Sequence, residues 1–499
     1  MTRALILLLA VALPPAAVSQ EIPDTPDALV FEPIVFNPPA VKDYRVVLRS
    51  GMVAFIKEDR TLPLVNLAVQ THTGRWLEPA GKEGLASLVG SQMRRGGTRS
   101  LSAESLDERL DYLAAQAATG IGDTAASASL NCLKDNLDES LRLFVEMLRA
   151  PRFQEDRLAL AKQQALQDMK ERNDESADIE AREWNVLLLG EDHFTNRFST
   201  EFSLRAITRD DLVDFHRRYF YPANMILAVS GAFTRDEIVR RLEAAFSGWP
   251  SPRLAVPPVA GEIHPASPGL YRIQKDVNQG RVAIGLPSVL RTSPDIYGLE
   301  VMNEILGGSG FTSRITKSVR SNEGLAYSAG SGIGFGVYYP GRFRAGLQSK
   351  SRSVAYAVQL VMNEIRRIRE ELVGDEELET IKQSLIETFP SSFASAAQVV
   401  GTFAADEYTK REPFFWQTYR DRIRAVTKAD VRRVARTHLV PERMIVLVVG
   451  DQKEIDLGDP KQPVRLESLA PGGRVVALPL RDPLTMQPAT SSGTPPRNP

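Results

Sequence analysis

The sequence predicts an α+β protein of two homologous domains, each a mainly antiparallel sheet packed with helices. Three observations lead there. The chain has 499 residues, more than one ordinary core accommodates. Strand-like runs and helical spacing both occur along it. Finally, Arg205–Gly231 aligns without a gap with Arg424–Gly450 at an offset of 219 residues, with ten of 27 positions identical. Each copy reads as a capped helix, a Pro turn and a buried strand ending in Gly. Thr208 and Thr427 are the expected N-caps, and Pro222 and Pro441 the helix stops.

The boundaries follow from composition. Residues 1–19 read as a secretory signal: Arg3, an apolar run from Ala4 to Leu13, and small residues at Ala17 and Ser19. The first domain is expected over 40–250 and the second over 269–455. A Pro-rich linker, 251–268, lies between them. The tail, 456–499, loses apolar pattern and reads as disordered. Within the first domain, strands are expected at Tyr44–Leu48, Val53–Lys57 and Leu64–Thr71. Helical spacing runs over Glu83–Arg95, Leu101–Ala118 and Leu137–Leu148, and over a long charged stretch, Gln154–Leu189. Cys132 sits in an apolar, helical-looking pattern and reads as core.

Composition excludes several function classes. Apolar residues are 43%, charged residues 25%, and the formal net charge is −1. No global positive field exists to draw in nucleic acid or anionic lipid. No later run is apolar enough to span a bilayer, so the mature chain is expected without a membrane span, in the periplasm or secreted. One cysteine forms neither an internal disulfide nor a metal cluster. The five histidines, His72, His193, His216, His264 and His438, include no two within five residues, so no helical His pair exists. His72, ending a strand, is the one to inspect for a rebuilt metal site.

Gly84-Leu85-Ala86-Ser87-Leu88-Val89-Gly90-Ser91, followed by Gly96-Gly97-Thr98, resembles the motif G-[LV]-A-H-x-x-E-H-x-x-x-x-G-T of the pitrilysin/insulinase (M16) peptidases. Thr73–Pro79 resembles that family's approach to the motif helix. In the family, two His and a distant Glu hold Zn²⁺, and the Glu between the His activates water. The resemblance places Ser87 and Ser91 at the His positions, Gly90 at the base, and Gln167 near the distant Glu, with Asp168 beside it. Serine hydroxyls are poor zinc ligands. On this reading Ser87 and Ser91 fill space within the helix, and no metal is expected in this chain. A serine-hydrolase reading finds no G-x-S-x-G around them.

The second domain keeps more of the pattern. Asn303–Arg314, with Gly307, Gly308, Ser309 and Gly310, resembles the family's N-x-x-L-G-x-x-x-x-S-R segment. Val319-Arg320 and Gly324-Leu325-Ala326-Tyr327-Ser328 resemble V-R-E-x-x-G-L-A-Y-S. The resemblance implies that Arg320 and Tyr327 contact the substrate backbone across a chamber, and that the Gly-rich turn lets a peptide approach closely. From spacing alone, the favoured reading is that Arg320 pairs with Glu323 on a helix surface and that Tyr327 is core.

Together these imply an exported, non-catalytic subunit of a heterodimeric zinc peptidase. Its expected partners are a zinc-bearing M16 subunit and an unfolded peptide. Two alternatives stand beside it: a structural or peptide-binding subunit with no catalytic assembly, and an autonomous metallopeptidase with a rebuilt site.

Overall fold

The computed structural model describes residues 36–252 and 255–489, and residue 25. The expected signal segment and the last residues of the tail lie outside them. Two six-stranded mixed sheets form, each packed with helices. The first contains β1 (Arg45–Val47), β2 (Val53–Glu58), β3 (Leu64–Thr71), β4 (Gln116–Ile121), β5 (Ala126–Leu133) and β6 (Met225–Gly231), in the order β1-β2-β6-β3-β5-β4. The second contains β7 (Gly269–Gln274), β8 (Gln279–Pro287), β9 (Ala326–Ile333), β10 (Arg342–Lys350), β11 (Ile445–Gly450) and β12 (Val475–Ala477), in the order β12-β7-β11-β8-β10-β9. β6 and β11 are the repeat strands. Each is buried throughout and lies inside its sheet, between an antiparallel and a parallel neighbour. Thr208 and Thr427 each form a capping box at the start of the repeat helices Arg209–Tyr219 and Lys428–His438. Pro222 and Pro441 follow those helices and open short 3₁₀ turns.

In the first half, helices α1 (Leu85–Arg95), α2 (Ala103–Tyr112) and α3 (Leu137–Arg149) share one core with one face of the sheet. Val65, Leu67 and Val69 of β3 point into it, while Asn66, Ala68 and Gln70 face the other side. The long charged stretch splits into α4 (Glu155–Lys170) and α5 (Ser176–Leu189). Leu101–Ala118 is not one helix. Ala114 takes a left-handed φ of 49°, α2 stops, and Gln116 begins β4. Cys132 is core, as expected, but on a strand: β5 alternates buried and exposed along its length.

The halves exchange helices. α5, from the first half, buries Ile179, Trp184, Leu187 and Leu188 against Tyr271, Ile273, Ala283, Leu447 and Val449 of the second sheet. The helix Ala396–Thr409, from the second half, lies on β2, β3 and β6 of the first, where Phe403 meets Phe55 and Tyr44. Each sheet therefore has one face covered by its own helices and the other partly covered by a helix of its twin.

Among the described residues the tail, 456–489, is ordered, contrary to the expectation from composition. β12 pairs parallel with β7. Beyond it, Arg481 meets Glu183 at 3.0 Å and Glu191 at 2.7 Å, and the Leu484 carbonyl accepts from the Glu201 amide. Arg172 donates to the Pro483 carbonyl. Loss of apolar periodicity hid a segment held by backbone pairing and ion pairs rather than by an amphipathic face.

Candidate functional site

α1 carries the motif positions. Gly84, at φ +101°, precedes it, and the Glu78 carboxylate accepts from the Gly84 and Ala86 amides at 3.1 and 2.8 Å. An acidic group thus caps the positive end of the helix. Burial raises the Glu78 pKa, and the two amides and Arg75 oppose the shift. Leu85, Leu88, Val89 and Met93 face the core. Ser87 and Ser91 lie on the opposite stripe. Ser87 is exposed; Ser91 is half-buried and donates back to the Leu88 carbonyl at 3.2 Å. Neither fills internal space, which corrects that part of the sequence reading.

Gly90 is buried where α1 crosses the edge strand β4. A Cβ there would lie 2.4 Å from the Ile121 amide nitrogen and 2.9 Å from Gly120 Cα. The Thr119 hydroxyl donates to the Gly90 carbonyl at 2.6 Å, tying strand to helix. The base position is therefore closed by backbone. Gln167 on α4 is exposed and donates to Glu171 at 3.0 Å, and Asp168 is exposed beside it. Two hydroxyls, a glycine and an amide engaged elsewhere do not fit Zn²⁺, which needs imidazole, thiolate or carboxylate.

The histidines form no substitute. His72 stacks on Tyr408 at 4.1 Å; burial and the Lys410 cation both lower its pKa. His216 is buried and donates from Nε2 to the Leu148 carbonyl at 2.8 Å. His193 is buried against Thr195, His438 meets Asp295 at 2.7 Å, and His264 is exposed. Among the described residues, no three His, Cys, Asp or Glu come together as a metal site requires.

The second half places Arg320 and Tyr327 together. Arg320 lies in a π-helical turn, Lys317–Asn322, a departure from α-helix that often marks functional positions. Its guanidinium sits 4.9 Å from the centre of the Tyr327 ring and 4.5 Å from that of Phe311. Tyr327 is 87% exposed and Phe311 67%, so neither ring is core. Among the described residues, no carboxylate lies within ion-pair distance of Arg320, Glu323 included. The result is a partly exposed cation lying over two exposed aromatic rings. Phe311 is the member that spacing did not single out; an aromatic following a Gly-rich turn was the available signal.

The Gly-rich turn has mixed roles. Gly307 packs against β9, where a Cβ would meet the Ser331 amide at 2.3 Å. This close approach is to the chain's own strand, not to a peptide. Gly310 is left-handed at φ +58° with open space around it, and Gly308 is exposed. Ser309 and Thr312 share a hydroxyl contact at 3.0 Å. The Thr316 hydroxyl donates to the Ala329 carbonyl, so part of the β9 edge is closed by its own half. Tyr327 and Ser328, at the strand's start, are exposed.

Residues 206–385 match the family model described as Peptidase M16 inactive domain. The chain is similar to M16 proteins, through the family model over 206–385 and through the fold over most of its length. It is 24% identical over 419 residues to the non-peptidase homolog YmxG of Helicobacter pylori, covering 82% of this chain and 94% of that one. It is also 24% identical over 411 residues to the uncharacterized zinc protease SCO5738 of Streptomyces coelicolor, covering 79% and 87%. Among solved structures, the peptidase M16 inactive domain from Pseudomonas fluorescens superposes with a TM-score of 0.72 at 22% identity, covering 81% of this chain and 97% of that one. The periplasmic protease PqqL from Escherichia coli superposes with a TM-score of 0.69 at 14% identity, covering 83% of this chain and 46% of that one. These likenesses carry the M16 fold. At the motif positions, α1 carries no imidazole, thiolate or carboxylate.

Proposed function

We propose that this protein is the exported, metal-free subunit of a two-chain M16 peptidase. It completes the chamber and presents Arg320 and Tyr327 to a peptide cleaved at the partner's zinc. The observation that carries the reading is the contrast between the halves. Backbone has closed over the base position at Gly90, while the Arg320 stack remains exposed and unpaired. A purely structural subunit has no need of a cation lying over two exposed rings. Export rests on the N-terminal charge, apolar run and small residues, together with the periplasmic setting named for PqqL. Among the described residues, no helix is long and apolar enough to cross a membrane.

The test begins with affinity purification from the native host after cell fractionation. A periplasmic, equimolar companion carrying H-x-x-E-H is expected. In the reconstituted heterodimer, Arg320→Ala with Tyr327→Ala is then expected to cut kcat/KM by roughly 100-fold, the order of effect seen when transition-state donors are removed. A heterodimer with full activity after both substitutions would defeat the shared-site reading. A chain that elutes alone would defeat the two-chain reading.

A further inference from the structure

The two sheets present differently charged faces to the opposite half. On the first sheet, the side shared with the Ala396–Thr409 helix is lined by Asn66, Ala118, Ser129, Asn131, Ala397 and Gly401, around a groove of about 350 Å³ with no charged lining residue. On the second, the strands alternate. Phe343, Ala345, Leu347 and Ser349 of β10 are buried in the core, while Arg342, Arg344, Gln348 and Lys350 take the other side. In the register, Gln348 stands opposite Arg281 and Lys350 opposite Gln279 on β8. This is the side against which α5 packs, so it faces the first half. α5 covers only part of it: the Arg344 side chain is 41% exposed and Arg342 is exposed.

Among the described residues, one carboxylate serves this row of cations. Glu180 of α5, whose side chain is only 6% exposed, accepts from Arg344 and lies 3.6 Å from Arg281 Nε. Arg281 also donates to Gln348 at 3.0 Å, yet its Nε is buried without a hydrogen-bond acceptor. Among the described residues, Arg342 reaches the neutral Asn185, at 3.4 Å, and no carboxylate. The other acids near the start of α5, Glu175 and Asp178, make no ion pair with these arginines. The row therefore carries surplus positive charge. Around Arg344 the register neighbours are Gly285 and Gly332, and a Cβ on Gly346 would meet its guanidinium at 2.7 Å. The floor is thus flat, and the Arg344 guanidinium lies across it over Gly346.

We propose that this face binds acidic, extended peptide segments, with Arg342 and Arg344 as the contacting forks and Glu180 as the group that positions Arg344 and Arg281. The proposal deepens the peptide-holding reading above and rests on it. A guanidinium pair over small residues suits bidentate capture of Asp or Glu side chains, or of a terminal carboxylate, on a chain lying along the sheet. The neutral first-half face neither repels such a peptide nor competes for the arginines.

The test uses the full chain and three fluorescein-labelled unstructured peptides of equal length. They share one frame bearing Glu, Gln or Lys at the same positions, and anisotropy is read at low and high salt. The Glu peptide is expected to bind at least about tenfold tighter than the Gln peptide, and the Lys peptide weakest, with the differences shrinking as salt rises. Arg342→Gln with Arg344→Gln is expected to erase most of that preference in a chain that still melts cooperatively, at a lower midpoint because the buried Glu180 loses one of its two arginines. Arg320→Ala with Tyr327→Ala is expected to weaken all three peptides alike. If the Glu peptide binds no tighter than the Gln peptide, or keeps its advantage in the double-Gln variant, the acidic-peptide assignment falls and the peptide-holding role stands. If no peptide binds, both fall together.

Discussion

At the scale of single residues, two positions make contrasting predictions. Gly90 has no room for a side chain, because backbone of β4 occupies the space a Cβ needs. Gly90→Ala is expected to destabilise by about 1–3 kcal/mol, the usual cost of overpacking, read as a lower denaturant midpoint. An unchanged midpoint would mean that β4 yields easily. His216 predicts a pH dependence. Burial pushes its pKa down to about 4, against about 6.5 for an unfolded imidazole. As pH falls, protons bind the unfolded chain first. The stability tied to neutral His216 is therefore intact above about pH 6.5 and is lost progressively towards pH 4, about 3 kcal/mol in all. His216→Gln keeps a donor for the Leu148 carbonyl and is expected to flatten that decline in denaturation curves across the window. The motif positions were legible in the sequence because ligand chemistry is a matter of residue type. The closure at Gly90 was not, because it depends on where another strand's backbone passes. Phe311 was missed for the same reason: only the fold brings it onto Arg320.

At the scale of elements, the tail is the clearest case of an element without an amphipathic signature. It crosses from the second sheet to the first half, and Arg481 there reaches Glu183, whose side chain is only 6% exposed. Arg182 also contacts Glu183, at 2.9 Å, so the carboxylate is not wholly abandoned when Arg481 is removed. Arg481→Ala is expected to cost about 2 kcal/mol, measured by urea unfolding, and truncation after residue 477 more. A tail-deleted chain of full stability would show the strap to be passive. Elements with strong periodicity were readable from the sequence: β3 occupies Leu64–Thr71 as expected, and α1 starts two residues inside the predicted helix. The repeat pair was readable through its caps and prolines. The break between α2 and β4 was not, because apolar spacing continues through a turn made by one left-handed alanine.

At the scale of the whole molecule, the exchanged helices decide how the chain behaves on division. A cut near residue 250 leaves Trp184 and its apolar neighbours on α5 with no sheet to cover them. Residues 36–250 produced alone are expected to lack a sharp thermal transition and a near-ultraviolet signal, and co-expression with 255–489 is expected to restore both. A separately folded half with a cooperative melt would contradict the exchange. The sequence disclosed two copies of one unit but not that each copy lends a helix to its twin, because amphipathicity shows that a face is buried, not against what.

The same exchange has a consequence in time. α5 leaves the ribosome early, yet β11, which completes the surface it buries against, is made roughly 250 residues later. At about 5–20 residues per second, that apolar helix face waits on the order of tens of seconds for its cover. The nascent chain is thus obliged to travel with an unfinished first half, and a binding factor that shields Ile179, Trp184 and Leu187 during that interval would raise the yield of correctly closed molecules.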